Sequence, residues 1–220
     1  MSNIEYELNE KIHAILINPY LSWDDFNKNC ELIKKFNIKN ISTSLNFLGH
    51  LKNIMSDHKV KINALISYPF GDLPNSLIEE FICFAKENGA YGIEYTPNFI
   101  NLFKNNLDDF ANQIDKISSS KLPITIIINK KKLDKMLFEK AIEIFLELGI
   151  TNFQFGDGFG SPISSQDIAE ILKLIRNEQS IKIVGGIKTL DQVVDLFGLG
   201  IDCVGTSHFY EIFQDIKKVK

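Results

Sequence analysis

Residues 181–208 read IKIVGGIKTLDQVVDLFGLGIDCVGTSH. Ile181–Val184 is a short β-branched run of the kind that forms a strand buried on both faces. Gly185-Gly186 interrupts it. Leu190–Leu199 then carries apolar residues at helical spacing, Gly200 stands where that helix ends, and Asp202–Thr206 is the next strand. Working back towards the N-terminus, the same alternation repeats. The runs His13–Ile17, Ile38–Ser44, Val60–Ser67, Gly92–Thr96, Ile124–Asn129 and Asn152–Phe155 read as strands. Trp23–Phe36, Leu77–Asn88, Leu102–Ser118, Leu133–Leu148 and Ser165–Arg176 read as amphipathic helices between them. Eight strands in 220 residues leave about 27 residues per βα unit, which suits a compact (β/α)8 TIM barrel, an α/β fold. A doubly wound open sheet is the competitor, and it usually closes with fewer strands. No linker interrupts the pattern. The expectation is a single barrel domain over residues 1–220, with residues 1–11 as an N-terminal extension or helix.

Composition narrows the function classes. The chain is 45% hydrophobic and 24% charged with a net charge of −4, and its isoelectric point is near 5.6. There is no basic footprint for nucleic acid. Cys30, Cys83 and Cys203 are scattered without a C-x-x-C pair, which points to a reducing compartment and away from a metal cage. The opening MSNIEYELNEKI lacks an apolar h-region, so no signal peptide is expected. No apolar run approaches the ~18–20 residues of a membrane span. A cytoplasmic protein without nucleic-acid or membrane partners follows as the expectation. Arg176 is the only arginine among 24 basic residues. Any phosphate would therefore be held by lysine or backbone N–H groups.

In a barrel of this kind, chemistry gathers on the loops at the C-terminal ends of the strands. Glycines crowd the late ones: Gly156, Gly158 and Gly160 after strand six, Gly185-Gly186 after strand seven, and Gly205 before Thr206-Ser207. Glycine lets backbone approach an anion closely, and loops after strands seven and eight commonly take a phosphate. Simple tight turns would also use glycine, but GGIKT facing GTSH favours a phosphate cradle. Gly156–Gly160 taken alone is weak, lacking the dinucleotide fingerprint spacing. Lys182 and Glu94, at the ends of strands seven and four, are expected to point into the barrel mouth within ion-pair reach. They serve either as a proton-moving pair or as a structural ion pair. Asp157 would add a second carboxylate beside Gln154. Tyr68, Tyr95 and Phe155 are candidate pocket walls, and Lys130-Lys131-Lys132 reads as a solvated helix entrance.

Six blocks in order resemble the deoxyribose-phosphate aldolase family from about Ile12 to the end. LISYPFG (Leu65–Gly71) is similar to VIGFPLG, and GAYGIEYTPN (Gly89–Asn98) to GAxEIDxVxN. ITIIIN resembles VIIET, FQFGDGF (Phe153–Phe159) takes the place of VKTSTGF, IKIVGGIKT that of VKASGGIRT, and CVGTSH that of RIGTSS. The resemblance implies a class I aldolase barrel in which a strand-six lysine forms a Schiff base with acetaldehyde. A strand-seven lysine and a strand-four aspartate then help to move protons. Here the Schiff-base position is Gln154, the second lysine is retained as Lys182, and the aspartate becomes Glu94. The resemblance further puts the strand-two cysteine position at Ser44 beside Asn46, for substrate binding, and the first-strand aspartate at His13. It assigns phosphate to Gly158, Gly185, Gly186, Gly205, Ser207 and His208.

An amide nitrogen cannot form the iminium on which the usual mechanism depends. The expectation is therefore an aldolase-like lyase of altered mechanism. It would act on a small phosphorylated sugar or aldehyde without a cofactor or metal, as a homodimer, with ordinary activity weak or absent. Two alternatives stay open: a sugar-phosphate-binding protein without catalysis, and a true deoxyribose-phosphate aldolase that uses Lys182 for the imine. A metal set of His13, Glu94 and Asp157 has no support from spacing.

Overall fold

The computed structural model describes residues 3–159, 162–175 and 178–218. Eight parallel strands close into a barrel in sequence order: β1 (Ile12–Leu16), β2 (Asn40–Ser44), β3 (Lys61–Ile66), β4 (Gly92–Tyr95), β5 (Ile124–Ile128), β6 (Asn152–Phe155), β7 (Ser180–Val184) and β8 (Cys203–Thr206). β8 pairs back onto β1 through Ile12–Val204 and Ala14–Thr206. Around the strands lie α1 (Asn3–Lys11), α2 (Trp23–Phe36), α3 (Leu45–Ile54), α4 (Asn75–Glu87), α5 (Ile100–Phe103), α6 (Leu107–Ser118), α7 (Lys135–Glu147), α8 (Ser165–Leu174), α9 (Leu190–Gly198) and α10 (Phe209–Lys218). The closed ring excludes the open-sheet alternative. Among the described residues no helix is long and apolar enough to cross a membrane.

Side-chain alternation along each strand sorts residues between two compartments. Ile12, Ala14, Ile41, Ile93, Ile126, Phe153, Phe155, Ile181, Ile183 and Val204 join the helices in one apolar core outside the barrel. Their neighbours turn inward, so His13, Ser42, Glu94, Gln154 and Lys182 share the barrel interior with Leu65 and Ile127. Several strands carry one buried polar residue between outward apolar neighbours, as Glu94 between Ile93 and Tyr95 and Lys182 between Ile181 and Ile183. That single residue is where function has room.

Helix starts follow local chemistry. Ser22 caps α2 by accepting from the Asp25 N–H. Ser164 with Asp167 and Thr189 with Gln192 form capping boxes on α8 and α9. Two expectations are corrected. The helical reading of Leu102–Ser118 is broken at Asn105, whose φ of 55° is left-handed, into α5 and α6. Lys130–Lys132 forms a 3-10 turn, and α7 starts later, at Lys135 behind the Asp134 cap. Lys130 is not merely solvated: its Nζ lies 2.9 Å from Asp167 and 2.8 Å from Glu170, tying this turn to α8.

Candidate active site

Lys182 and Glu94 form the polar centre of the barrel. Lys182 Nζ lies 2.5 Å from Glu94 Oε1, and the two side chains are only 5% and 3% exposed. The Ser42 hydroxyl donates to the same Oε1 at 2.8 Å and stands 3.3 Å from Lys182 Nζ. His13 Nδ1 is 3.9 Å from that carboxylate oxygen. Gln154 faces Lys182 directly in the β6–β7 register. Its amide nitrogen donates to the Gly156 carbonyl at 3.1 Å. Among the described residues, Glu94 Oε2, Gln154 Oε1 and His13 Nδ1 are buried without a hydrogen-bond partner. Each of these atoms is costly to leave unmet so close to its neighbours in one small interior.

Burial, with the nearby Lys182 and Lys61 ammonium groups, holds the His13 imidazole well below its ordinary value of 6.5. The native protein therefore resists a proton that the unfolded chain takes up as pH falls through that value. Stability is lost on the acid side, and His13 costs nothing above it. Urea midpoints measured between about pH 7.5 and pH 5 should fall more steeply for wild type than for His13→Asn. Parallel pH profiles for the two proteins would remove this role from His13.

The mouth above the pair is divided. Ser67, with a φ of 58°, turns the chain after β3 so that Tyr68 reaches over the barrel, and the Tyr68 hydroxyl donates to the Asp157 carbonyl oxygen. Burial, and then the Asp157 and Glu94 carboxylates, raise the Tyr68 pKa, so the phenol stays a donor. On one side of this bridge lies a cleft of about 490 Å³. Gly158, Gly185, Gly186, Gly205, Ser207 and His208 line it together, and the exposed Lys188 is on the same rim. Close approach holds two positions in these loops to glycine: a Cβ on Gly156 would stand 2.1 Å from the Val184 carbonyl oxygen, and one on Gly186 would stand 2.4 Å from the Pro162 Cγ. Glycine loops of this kind let an anion approach backbone N–H groups closely. His208 is more modest: it is 42% exposed and 3.8 Å from Glu211.

Other candidates take different positions. Both carboxylate oxygens of Asp157 are engaged, one by the Phe159 N–H at 2.9 Å and the other by the Asn129 amide at 2.7 Å. Asp157 shapes its own loop. Ser44 ends β2 ahead of α3, and Asn46 is exposed on the first turn of that helix. Neither lines the cradle cleft. The hydroxyl that meets Lys182 belongs to Ser42, two residues earlier on the same face. Strand periodicity marks both serines as inward, but only depth in the barrel separates them. Phe155 and Tyr95 are not pocket walls: Phe155 packs outward on Phe138 with ring centroids 6.0 Å apart, and Tyr95 accepts from Gln113 outside the barrel. Their inward neighbours Gln154 and Glu94 require this by alternation. Among the described residues no three His, Cys, Asp or Glu side chains gather as a metal site.

No family model matches the chain. Relatives named deoxyribose-phosphate aldolase align with it from end to end. The one from Dictyoglomus turgidum is 26% identical over 218 residues, covering 97% of this chain and 99% of its own. The one from Mycoplasmopsis pulmonis is 28% identical over 220 residues, covering 96% and 99%. The solved structure of a tetrameric deoxyribose phosphate aldolase from Aeropyrum pernix superposes with a TM-score of 0.87 at 15% identity, covering all of this chain and 94% of that one. The barrel and its connectivity are thus those of a known (β/α)8 fold.

Proposed function

We propose that this chain is a deoxyribose-phosphate-aldolase-like protein that takes a small phosphorylated sugar or aldehyde, with Lys182 and Glu94 as its proton-moving pair and without an imine at position 154. The observation that carries the reading is the buried Lys182–Glu94–Ser42 cluster with the amide Gln154 as its cross-strand neighbour, near a glycine-lined cleft. The cleft supplies backbone donors and the Lys188 ammonium for a phosphate. The barrel interior supplies the unpaired acceptors Glu94 Oε2 and Gln154 Oε1. A bare aldehyde offers no hydrogen-bond donor to such atoms, whereas a sugar's hydroxyls do. This favours a polyhydroxylated substrate.

With such a ligand in place, the ammonium of Lys182 faces the oxygen on which negative charge develops, and the Glu94 carboxylate takes the proton released beside it. Carbon–carbon lyase or isomerase chemistry is within reach of that arrangement. The phosphate end is testable by itself. Calorimetric titration with 2-deoxyribose 5-phosphate should give one saturable site per chain, and Lys188→Ala should weaken it about tenfold, as expected for loss of one charge-assisted hydrogen bond. Unchanged affinity in Lys188→Ala, or no saturable binding in wild type, would contradict the cradle.

A further inference from the structure

On the other side of the Tyr68–Asp157 bridge lies a second cleft, of about 280 Å³, between the loops after β3, β4 and β5. It shares no lining residue with the cradle cleft. Its walls are mixed: Phe70, Phe99 and Phe103 stand with Pro69 and Pro97 on an apolar side, and Asn129, Lys132 and Asp157 make a polar side. Phe70 and Phe103 are 73% and 56% exposed, an arrangement a soluble surface does not need for stability. Thr96 turns inward from the end of β4 at 7% exposure, and its hydroxyl is buried without a partner among the described residues. Such a group is costly to leave unmet. The charges in its lining offset each other, since Lys132 Nζ stands 3.8 Å from the Asp157 carboxylate.

We infer that this cleft is a binding site for a small, uncharged aromatic ring bearing a hydroxyl or carbonyl on its edge. The ring would lie among the phenylalanines, and its polar edge would meet the Thr96 hydroxyl. Ring faces against Phe and Pro supply affinity without charge, and one buried hydroxyl supplies orientation. The paired Lys132 and Asp157 leave no net charge to attract an ion. The inference does not rest on the reading of the cradle or on catalysis.

Phenol is the probe, followed by two-dimensional 1H–15N NMR of the full chain, with benzoate and inorganic phosphate titrated in parallel. Phenol should move the amides of Thr96, Phe99, Phe103 and Asn129 saturably and leave Gly185, Gly186 and Ser207 in place. Benzoate should bind more weakly, because its charge must be desolvated beside Asp157. Thr96→Val should lower phenol affinity about fivefold, the worth of one net hydrogen bond. Phe103→Ala, a change at the exposed rim, should also weaken it in a protein whose fold is undisturbed. Shifts that never saturate, shifts centred on the cradle, or affinity unaltered in both variants would overturn the assignment. So would concentration-dependent association through Phe70 and Phe103 that phenol fails to disturb, since the face would then be covered by a second copy of the chain.

Discussion

Lys182→Ala is expected to lower the unfolding free energy by about 3–5 kcal/mol, because it leaves the Glu94 carboxylate buried without its counter-charge. Few single substitutions on this barrel should cost more. Glu94 is 3% exposed, and Ser42 is its one other hydrogen-bonding neighbour among the described residues. Urea unfolding followed by circular dichroism gives the number. The double variant Lys182→Met/Glu94→Leu removes both charges and should recover most of the loss, since well-packed apolar replacements of a buried pair are often neutral or stabilising. A loss below about 1 kcal/mol, the ordinary range of an exposed pair, would mean that the two groups are not sealed from water as their burial indicates.

The second large effect concerns Gln154. Wild type should release acetaldehyde from 2-deoxyribose 5-phosphate far below the ~1–10³ per second of ordinary enzymes, because an amide cannot store electrons as an iminium. Gln154→Lys should raise that release by at least about a hundredfold, since Lys182 and Glu94, the proposed proton-moving pair, stand beside it. Two features of the site favour the gain. Phe155, next in sequence, points out of the barrel onto Phe138, so it does not crowd a lysine at 154. Asp157 has both oxygens engaged by Asn129 and the Phe159 N–H, so it does not hold a new ammonium by default. Equal rates in wild type and Gln154→Lys, at equal protein concentration, would show that position 154 does not limit the chemistry.

The architecture was readable in the sequence because most strands are short, mainly apolar runs between turn residues and the helices keep their apolar period. Strand six, Asn152–Phe155, and helix Trp23–Phe36 have the same bounds in both readings. Where the readings differ, a local effect decides. The left-handed Asn105 splits one amphipathic stretch that looks continuous, and the Asp134 cap delays a helix that the lysine triplet seems to begin. The site was legible at its charges. Lys182 and Glu94 are long charged side chains at inward positions in strands seven and four, where few partners are available to either.

Ser42 and Tyr68 were harder to place. Ser42 differs from Ser44 only in depth along one inward face, which periodicity does not encode. Tyr68 bridges the mouth because of a positive φ at Ser67, a conformation with no signature in a run such as Leu65–Gly71. The division of the mouth into two clefts therefore belongs to the three-dimensional structure alone.

If Lys182 works beside Glu94 as a proton-moving group, as proposed, it does not form an imine. Borohydride reduction in the presence of acetaldehyde, followed by peptide mapping, tests it within one protein, because exposed lysines report on the reagent. Lys132 is 65% exposed and Lys28 is 74% exposed, against 5% for Lys182. The expected result is slow, partial ethylation of Lys28 and Lys132 with Lys182 unmodified throughout. Stoichiometric reduction at Lys182, faster than at the exposed lysines and blocked by 2-deoxyribose 5-phosphate, would contradict it and make Lys182 the imine-forming residue.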